Sequence, residues 1–210
     1  MLRPRFESLV LTGAALLAGC AATVDDMPDG VGPPEPPFAV SSFFAPSGYM
    51  GDGADPSGTA LISADDPAQC APRPSGARGD CYKFTYTAGP QLWAGVYWQF
   101  PPNNWGSVEG KALGAGASKV AFYAASERGG ETLKITIGGI KDVTLPYSDD
   151  LKAEGSVTLT TTMTRYTVDL AGRTYDKVIG GFSWAANHPE GTDPATAPPI
   201  VVFLDDVVWE

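Results

Sequence analysis

The segment Gln91–Gly106 restricts the fold more than any other, because its large side chains recur with the period of a β-strand. Alternate residues of a strand point to opposite faces of a sheet. One face consists of Val96, Trp98 and Phe100, which are core types. The other face consists of Trp93, Gly95, Tyr97 and Gln99, where solvated polar residues are expected. The second face is therefore either a ligand-binding surface or a second buried face.

The N-terminus predicts an exported, lipid-anchored protein. Two arginines precede the apolar run Leu9–Leu17, which is too short to span a bilayer and is typical of a signal peptide. The run closes with Leu17-Ala18-Gly19-Cys20, which resembles the lipobox of bacterial lipoproteins. The resemblance implies cleavage before Cys20 and acylation of its sulfur and amine. Because Ala21 rather than Asp follows, it also implies the outer membrane. An ordinary secretory signal with a chance cysteine is the alternative.

The remaining chain divides into a tether and one domain. After the signal peptide of residues 1–19, residues 20–37 are acidic and Pro-rich, which predicts a short, semi-stiff tether behind the lipidated cysteine. Residues 38–210 contain no second linker and predict a single domain. The formal net charge of −10 argues against nucleic acid and against docking on anionic lipid. The expected contact with the membrane is through the lipid anchor only.

Two cysteines remain after Cys20 is assigned to the anchor. Cys70 and Cys81 are expected to form a disulfide, because the chain is exported. The ten residues between them have no apolar period and are expected to be floppy, so that closing this loop stabilises the fold by about 2–3 kcal/mol in the chain-entropy model. A metal pair is the alternative, although no histidine or third cysteine lies nearby in sequence.

The domain reads as short strands separated by Gly, Pro, Asn and Asp, without a helical period. Expected strands besides the central one are Cys81–Tyr86, Lys119–Ala125, Val157–Thr161, Thr164–Leu170, Lys177–Ala186 and Ile200–Trp209. Gly129-Gly130 predicts a tight hairpin, whose return strand turns Leu133, Ile135 and Ile137 inward. Eight or so strands predict an all-β fold, as a two-sheet antiparallel jelly-roll sandwich or, alternatively, a barrel.

The ordered series of strand motifs resembles the jelly-roll carbohydrate-binding modules of the galactose-binding-like type. The motifs are CYKFTYTAG, WAGVYWQFPPNNWG, VAFYAASERGGETLKITIGG, RYTVDLAG, VIGGFSWAA and VVFLDDVVWE. The resemblance covers nearly the whole domain. It implies a β-sandwich, a structural calcium near the chain ends, and sugar binding by aromatic residues on one sheet or at loop tips.

Residue chemistry supports a polysaccharide or oligosaccharide ligand independently of the resemblance. Pyranose rings have apolar C–H faces that stack on Trp and Tyr, whereas their hydroxyls need amide or charged partners. The candidate binding residues are Trp93, Tyr97, Gln99 and Trp105, with Trp184 added if its strand neighbours the central strand. Alternatively, each of these tryptophans covers a sheet edge. Trp98 and Trp209 are expected to be packing residues.

Catalysis is a competing interpretation. Jelly-roll glycoside hydrolases use two carboxylates ~5–9 Å apart. The candidate acids are Glu109, Glu127, Glu131, Glu154 and Asp169, none of which shares the face of Trp93 in the strand register. The single histidine, His188, lies in an irregular segment and is expected to be a solvated loop residue. The sequence therefore favours a non-catalytic binding protein over a glycoside hydrolase.

Asp205 and Asp206 interrupt an apolar strand, where a buried charge needs a partner. A structural calcium ion, held by Asp205 and by Asp52 of a turn-rich segment, is one expected partner. Backbone amides and solvent are the alternative partners. A third interpretation of the whole domain is a structural envelope lipoprotein whose aromatic face packs against a partner protein.

Overall fold

The computed structural model describes residues 32–54, 62–65 and 73–210, with only the backbone described for 62–65. The strands are β1 Phe38–Ala39, β2 Ala45–Gly51, β3 Ile62–Asp65, β4 Tyr82–Tyr86, β5 Trp93–Gln99, β6 Lys111–Ala112, β7 Lys119–Ser126, β8 Thr132–Gly138, β9 Lys152–Thr158, β10 Thr164–Asp169, β11 Lys177–Val178, β12 Gly180–Asn187 and β13 Ile200–Trp209. Two short 3-10 helices span Val40–Ser42 and Asp52–Ala54. No helix in the described ranges is long and apolar enough to cross a membrane.

The strands form two main antiparallel sheets, so the predicted two-sheet antiparallel jelly-roll sandwich is confirmed. Sheet 1 has the order β10-β7-β13-β4-β3, with β1 also paired to β13. Sheet 2 has the order β2-β5-β12-β8-β9. The short strands β6 and β11 pair separately. The central strand of the aromatic segment, β5, therefore lies between β2 and β12 in sheet 2.

The Gly129-Gly130 turn carries the chain from one sheet to the other. Both glycines have positive φ, 77° and 88°, as the sequence predicts. However, β7 before the turn belongs to sheet 1 and β8 after it belongs to sheet 2, so the predicted hairpin is wrong. The turn reverses the chain locally, but β7 pairs with β10 and β13 because the apolar faces of β7 and β8 must oppose each other across the core.

The core lies between the sheets and is dominated by aromatic side chains. Trp98 is buried, as expected, and its ring meets the rings of Tyr82, Phe84 and Phe182 edge to face at centroid distances of 5.2, 5.6 and 5.4 Å. Trp209 is also buried, and its indole N–H donates to the carbonyl of Gly181 at 2.9 Å. These contacts fix the inward face of β5, so the opposite face of sheet 2 points away from the core.

The folded unit begins before residue 38. Residues from Gly32 onward form one compact unit with the sandwich. The amide of Gly114 donates to the carbonyl of Pro34 at 3.0 Å, and the Glu35 side chain lies directly over Gly114. The last residues of the predicted tether therefore pack against the domain, while residues 20–31 lie outside the described ranges.

Candidate functional site

A groove of about 240 Å³ crosses the outward face of sheet 2. Strand register defines its floor, because residues opposite each other on neighbouring strands share a face. One row of paired residues is Gly48, Tyr97, Ser183, Thr136 and Glu154. The adjacent row is Met50, Gly95, Ala185, Lys134 and Ser156. Small residues in the middle of both rows lower the floor between an aromatic end and a charged end.

Trp93 forms the aromatic end of the groove. It begins β5 on the outward face and its side chain is 38% exposed. The indole packs on the backbone of Gly51, where a Cβ atom, if present, would lie 2.8 Å from the ring. Gly51 also has a φ of 60°, which disfavours any other residue. The structure therefore has Trp93 where the sequence predicts it, on a support that only glycine provides.

Tyr97 is more deeply buried than the other two candidate aromatic residues, Trp93 and Trp105. Its ring is mostly buried, and its hydroxyl donates to the carbonyl of Gly138 at 3.2 Å. Burial raises the pKa of this phenol, so the hydroxyl keeps its proton at neutral pH. Trp105 meets the Tyr97 ring edge to face at 5.8 Å and is itself 38% exposed. Tyr97 therefore joins the groove to the Trp105 loop.

The loop that carries Trp105 is built around the buried Asn104 side chain. The Asn104 amide nitrogen donates to the carbonyls of Phe100 and Val108, at 2.9 and 2.8 Å. Its amide oxygen accepts from the backbone of Gly106 at 3.0 Å. One side chain thus satisfies backbone groups on both sides of Trp105, which holds the loop in a single shape.

Gln99 is predicted from the sequence to contact ligand, and the structure corrects this prediction. Its side chain is 0% exposed, packed over Gly48, whose missing Cβ leaves the necessary space. It accepts from the Ser47 hydroxyl at 3.1 Å and donates to the carbonyl of Asn104 at 2.8 Å. Gln99 therefore positions the Trp105 loop and is not available to orient a bound molecule.

Trp184 is also not a groove residue. Its strand, β12, does neighbour β5, as the prediction required. However, Trp184 pairs with Val96, an inward residue, so the indole points into the core and is 0% exposed. The outward residues of β12 are Ser183 and Ala185. The sequence prediction for Trp184 is therefore wrong, because register rather than adjacency decides the face.

The charged end of the groove is not predicted by the sequence. Glu154 on β9 lies between Lys134 on β8 and Lys152, at N–O distances of 2.9 and 3.1 Å. Hydrogen bonds from the two ammonium groups lower the pKa of the Glu154 carboxyl below its usual value. An acid does share the aromatic face, contrary to the sequence interpretation. The sequence pattern that could have indicated this charged end is the alternation, along β8, of Lys134 and Thr136 with the inward residues Leu133, Ile135 and Ile137.

The two carboxylates expected to hold calcium bind protein donors instead. Asp52 is buried and accepts from the Tyr86 hydroxyl at 2.7 Å and from the amides of Gly89 and Gln91, both at 2.9 Å. Tyr86 pairs with Ile200 at the start of β13. Asp205 lies five residues further along that strand, roughly 16 Å away at the rise of a β-strand. The structure therefore does not bring Asp52 and Asp205 together.

Asp205 has an arginine as its charged partner. Arg73 donates from Nε and Nη2 to the two carboxylate oxygens of Asp205, at 2.8 and 2.6 Å. In the described part of the chain, no group of three or more His, Cys, Asp or Glu side chains is arranged to hold a metal ion. Arg73 therefore supplies the charge partner of Asp205. A structural calcium ion stays a prediction, but Asp52 and Asp205 are not placed to bind it jointly.

The cysteine predictions fall largely on residues that are not described. Cys81 is buried directly before β4. Cys20 and Cys70 lie outside the described residues, so the lipid anchor and the Cys70–Cys81 disulfide stay predictions.

His188 is buried, so the expectation of a solvated loop residue is wrong. Its side chain is 7% exposed, its ring lies 5.4 Å from that of Tyr86, and its Nε2 has no hydrogen-bond partner among the described residues. Burial, together with the positive charge of Arg128, lowers the pKa of this imidazole, and Asp52 opposes the shift only partly. The backbone amide of His188 donates to the carbonyl of Leu92, which ties this segment to the start of β5.

Comparisons with solved structures find carbohydrate-binding modules. A family 30 module aligns with a TM-score of 0.47 at 14% identity, over 83% of this chain and 94% of that chain. A family 11 module from Clostridium thermocellum, in complex with a β-1,3-1,4-mixed-linked tetrasaccharide, aligns with a TM-score of 0.43 at 13% identity, over 77% and 86%. A variant of a family 29 module aligns with a TM-score of 0.36 at 10% identity, over 80% and 89%.

No model of a protein family matches the chain, and no curated protein sequence matches it. A likeness to solved structures of the size found here does not assign a ligand.

Proposed function

We propose that the protein is a non-catalytic carbohydrate-binding lipoprotein, and that the groove on sheet 2 binds a polysaccharide or oligosaccharide. The observation that carries the proposal is the outward Trp93 ring beside a floor of small and hydroxyl residues, with charged side chains at the far end. An indole stacks on the apolar face of a pyranose, and the polar residues bond its hydroxyl groups. A groove that combines these features fits a sugar better than a purely apolar ligand.

The groove chemistry favours binding over hydrolysis. Glycoside hydrolysis needs two carboxyl groups, one as acid and one as base or nucleophile. Of the described residues that line the groove, Glu154 alone carries a carboxylate. Its lowered pKa makes it a poor general acid at neutral pH. We therefore favour a binding module over a jelly-roll glycoside hydrolase.

The same groove also favours a sugar over a partner protein. Protein interfaces bury broad patches whose centres are depleted in charged residues. Here Lys134, Lys152 and Glu154 border a narrow groove within reach of Trp93. The third interpretation, a structural lipoprotein with a protein partner, is therefore not favoured.

Lipid anchoring would hold the groove at the bacterial envelope in this proposal. It is supported by the Leu17-Ala18-Gly19-Cys20 motif behind the short apolar run. In this proposal, the anchored protein is located at the outer membrane. A Cys20→Ser variant is expected to remain unprocessed or soluble, whereas the unchanged protein fractionates with the membrane. An equal yield and mass of both proteins in the membrane fraction would contradict the anchor.

The binding proposal is tested by affinity electrophoresis of the full-length protein through gels that contain single soluble polysaccharides. At least one polysaccharide should retard the unchanged protein. Trp93→Ala and Trp105→Ala should restore free migration while the far-ultraviolet circular dichroism stays unchanged. Reducing-end release should stay at background with the retarding polymer. Release that is lost in Glu154→Gln would instead establish a hydrolase.

A matched control uses an exposed apolar residue outside the groove. Val143 is almost fully exposed on the loop before Pro146, so Val143→Ala should leave retardation unchanged. Equal retardation of the unchanged, Trp93→Ala and Trp105→Ala proteins would show that the aromatic surface is not the binding site.

A further inference from the structure

The groove carries more positive than negative charge, although the whole chain has a formal net charge of −10. Lys134 and Lys152 both contact the same carboxylate oxygen of Glu154, Oε1. A single carboxylate therefore compensates only one of two ammonium groups. The charged end of the groove has a local excess of positive charge in an otherwise acidic protein.

Both ammonium groups remain open to a ligand. Each lysine has three N–H donors, of which the contact with Glu154 uses one. The side chains of Lys134 and Lys152 are 63% and 58% exposed. The other donors therefore face solvent at the end of the groove, where a bound molecule would meet them.

The spacing between the aromatic and charged ends suits a sugar chain. Lys134 on β8 and Trp93 on β5 are separated by β12, so their strands lie two interstrand spacings apart, about 10 Å. Gly95 and Ala185 form the floor between them. A Cβ atom on Gly95 would lie 2.9 Å from the Met50 side chain and 3.0 Å from that of Ala185, so the low floor depends on glycine.

We propose that the groove selects acidic glycans, in which a sugar beside the stacked ring carries a carboxylate or a sulfate ester. This inference rests on the proposed function. Trp93 stacks on a sugar ring, and Lys134 and Lys152 bind the negative substituent as point charges. The acidic remainder of the protein repels polyanions, so the two ammonium groups supply the local attraction that such a ligand needs.

The test compares three polymers on the full-length protein by isothermal titration calorimetry. Polygalacturonate supplies carboxylates, dextran sulfate supplies sulfate esters, and mixed-linkage β-glucan is neutral. One acidic polymer should bind about tenfold more tightly than the neutral one at low salt, and the comparison between the two acidic polymers identifies the substituent. The advantage should shrink in 0.5 M salt, because exposed charges are screened over about 10 Å already at 0.1 M.

Charge variants locate the selectivity. In the double variant Lys134→Met, Lys152→Met, the ratio of the affinity for the acidic polymer to that for the neutral polymer should fall from about ten to near one. Glu154→Gln should strengthen acidic binding, because it removes the competing carboxylate. Lys141→Met removes one positive charge, half of that removed by the double variant, from an exposed position outside the groove and should change neither affinity.

The failures of the two proposals are distinguishable. If the neutral polymer binds as tightly as both acidic polymers, and Trp93→Ala abolishes that binding, the charge inference is overturned and the binding proposal stands. If an acidic preference survives in the double lysine variant, the inference is also overturned. Absence of heat with all three polymers overturns the charge inference, and it overturns the binding proposal as well if no polysaccharide retards the protein in the gels.

Discussion

Arg73 and Asp205 form a two-point ion pair in the middle of β13, with Nε and Nη2 of the guanidinium donating to the two oxygens of one carboxylate. Arg73 also donates to the carbonyl of Gly79, and Asp206 accepts from the amide of Arg78 at 2.7 Å. These contacts attach residues 73–80 to β13. Composition predicts that residues 73–80 are floppy, but Asp205 and Asp206 hold them against β13.

Removal of Arg73 should destabilise the domain. The Asp205 side chain is fully buried, whereas that of Arg73 is 42% exposed, so Arg73→Met leaves a buried carboxylate without its cation. We expect a loss of about 1–3 kcal/mol in the free energy of unfolding, measured by urea denaturation. Arg73→Met with Asp205→Asn should cost less than the sum of the two single changes. Strict additivity would contradict the pairing.

Alanine substitutions at Trp98 and Trp93 should cost very different amounts of stability, although both residues lie on β5. Trp98→Ala removes a core ring and should cost ~3–5 kcal/mol. Trp93→Ala removes a partly exposed ring and should cost about 1 kcal/mol, from the apolar area that packs on Gly51. Thermal unfolding and urea titration of both variants measure the difference. A loss for Trp93→Ala as large as that for Trp98→Ala would identify the outward face as a second core.

Gly51→Ala should disturb Trp93 more than its backbone conformation alone requires. Both Gly51 and Gly76 have positive φ, so an alanine at either site costs about 1–2 kcal/mol. At Gly51 the added methyl group also meets the Trp93 ring and carbonyl, whereas at Gly76 nothing lies within 4 Å. Gly51→Ala should therefore lower glycan affinity as well as stability, and Gly76→Ala should lower stability only. Equal affinities would refute the support assigned to Gly51.

Asn104→Ala should loosen the Trp105 loop. The buried amide bonds four backbone groups, the carbonyls of Phe100 and Val108 and the N–H groups of Gly106 and Val108. Its loss leaves them without this partner, at a cost of about 1–3 kcal/mol. Asn103→Gly is a suitable control, because Asn103 is exposed and its φ of 63° suits glycine. Affinity for the retarding polysaccharide should fall in Asn104→Ala and persist in Asn103→Gly. The reverse order would mean that Asn103 contacts the sugar.

Stability should fall as the pH drops below about 6.5. The unfolded imidazole of His188 has an ordinary pKa of about 6.5, whereas the folded pKa is lower, so the unfolded state binds the extra proton. The stabilising effect of the neutral ring is complete above pH 6.5 and is lost as the pH falls through the folded pKa. His188 is the single histidine of the chain. The urea concentration at the unfolding midpoint should therefore fall between pH 8 and pH 5 in the unchanged protein. In His188→Gln it should change less over the same range.

Strand periodicity in the sequence predicts the core well, because alternation is strict where one face is apolar. Trp98 and the inward residues of β8, Leu133, Ile135 and Ile137, all lie in the core as expected. β13 has the predicted bounds. The face of Trp184 could not be assigned in the same way, because Ser183 and Ala185 on the other side of β12 are small and equally compatible with burial. Register with β5 decides it.

The charged end of the groove escapes prediction because β9 begins earlier than the sequence indicates. Lys152, Glu154 and Gly155 have low β-propensity, so the sequence predicts a strand that starts only at Val157. Pairing with β8 overrides this preference. The sequence also does not predict β2 and β3 as strands. β2 contains one proline and two glycines, which favour turns over strands. Local propensity does not report which strand a segment will pair with.

The position of β13 within sheet 1 has a consequence for how the chain matures. β13 is the last strand in sequence, yet it lies between β4 and β7, and most strand pairs join distant parts of the chain. Such high contact order slows folding. During synthesis, β4 and β7 emerge first, and each has an unpaired edge until Ile200–Trp209 follows. A nascent chain stalled before Ile200 would therefore expose two unpaired strand edges at once, and each edge could pair with another chain until β13 inserts between them.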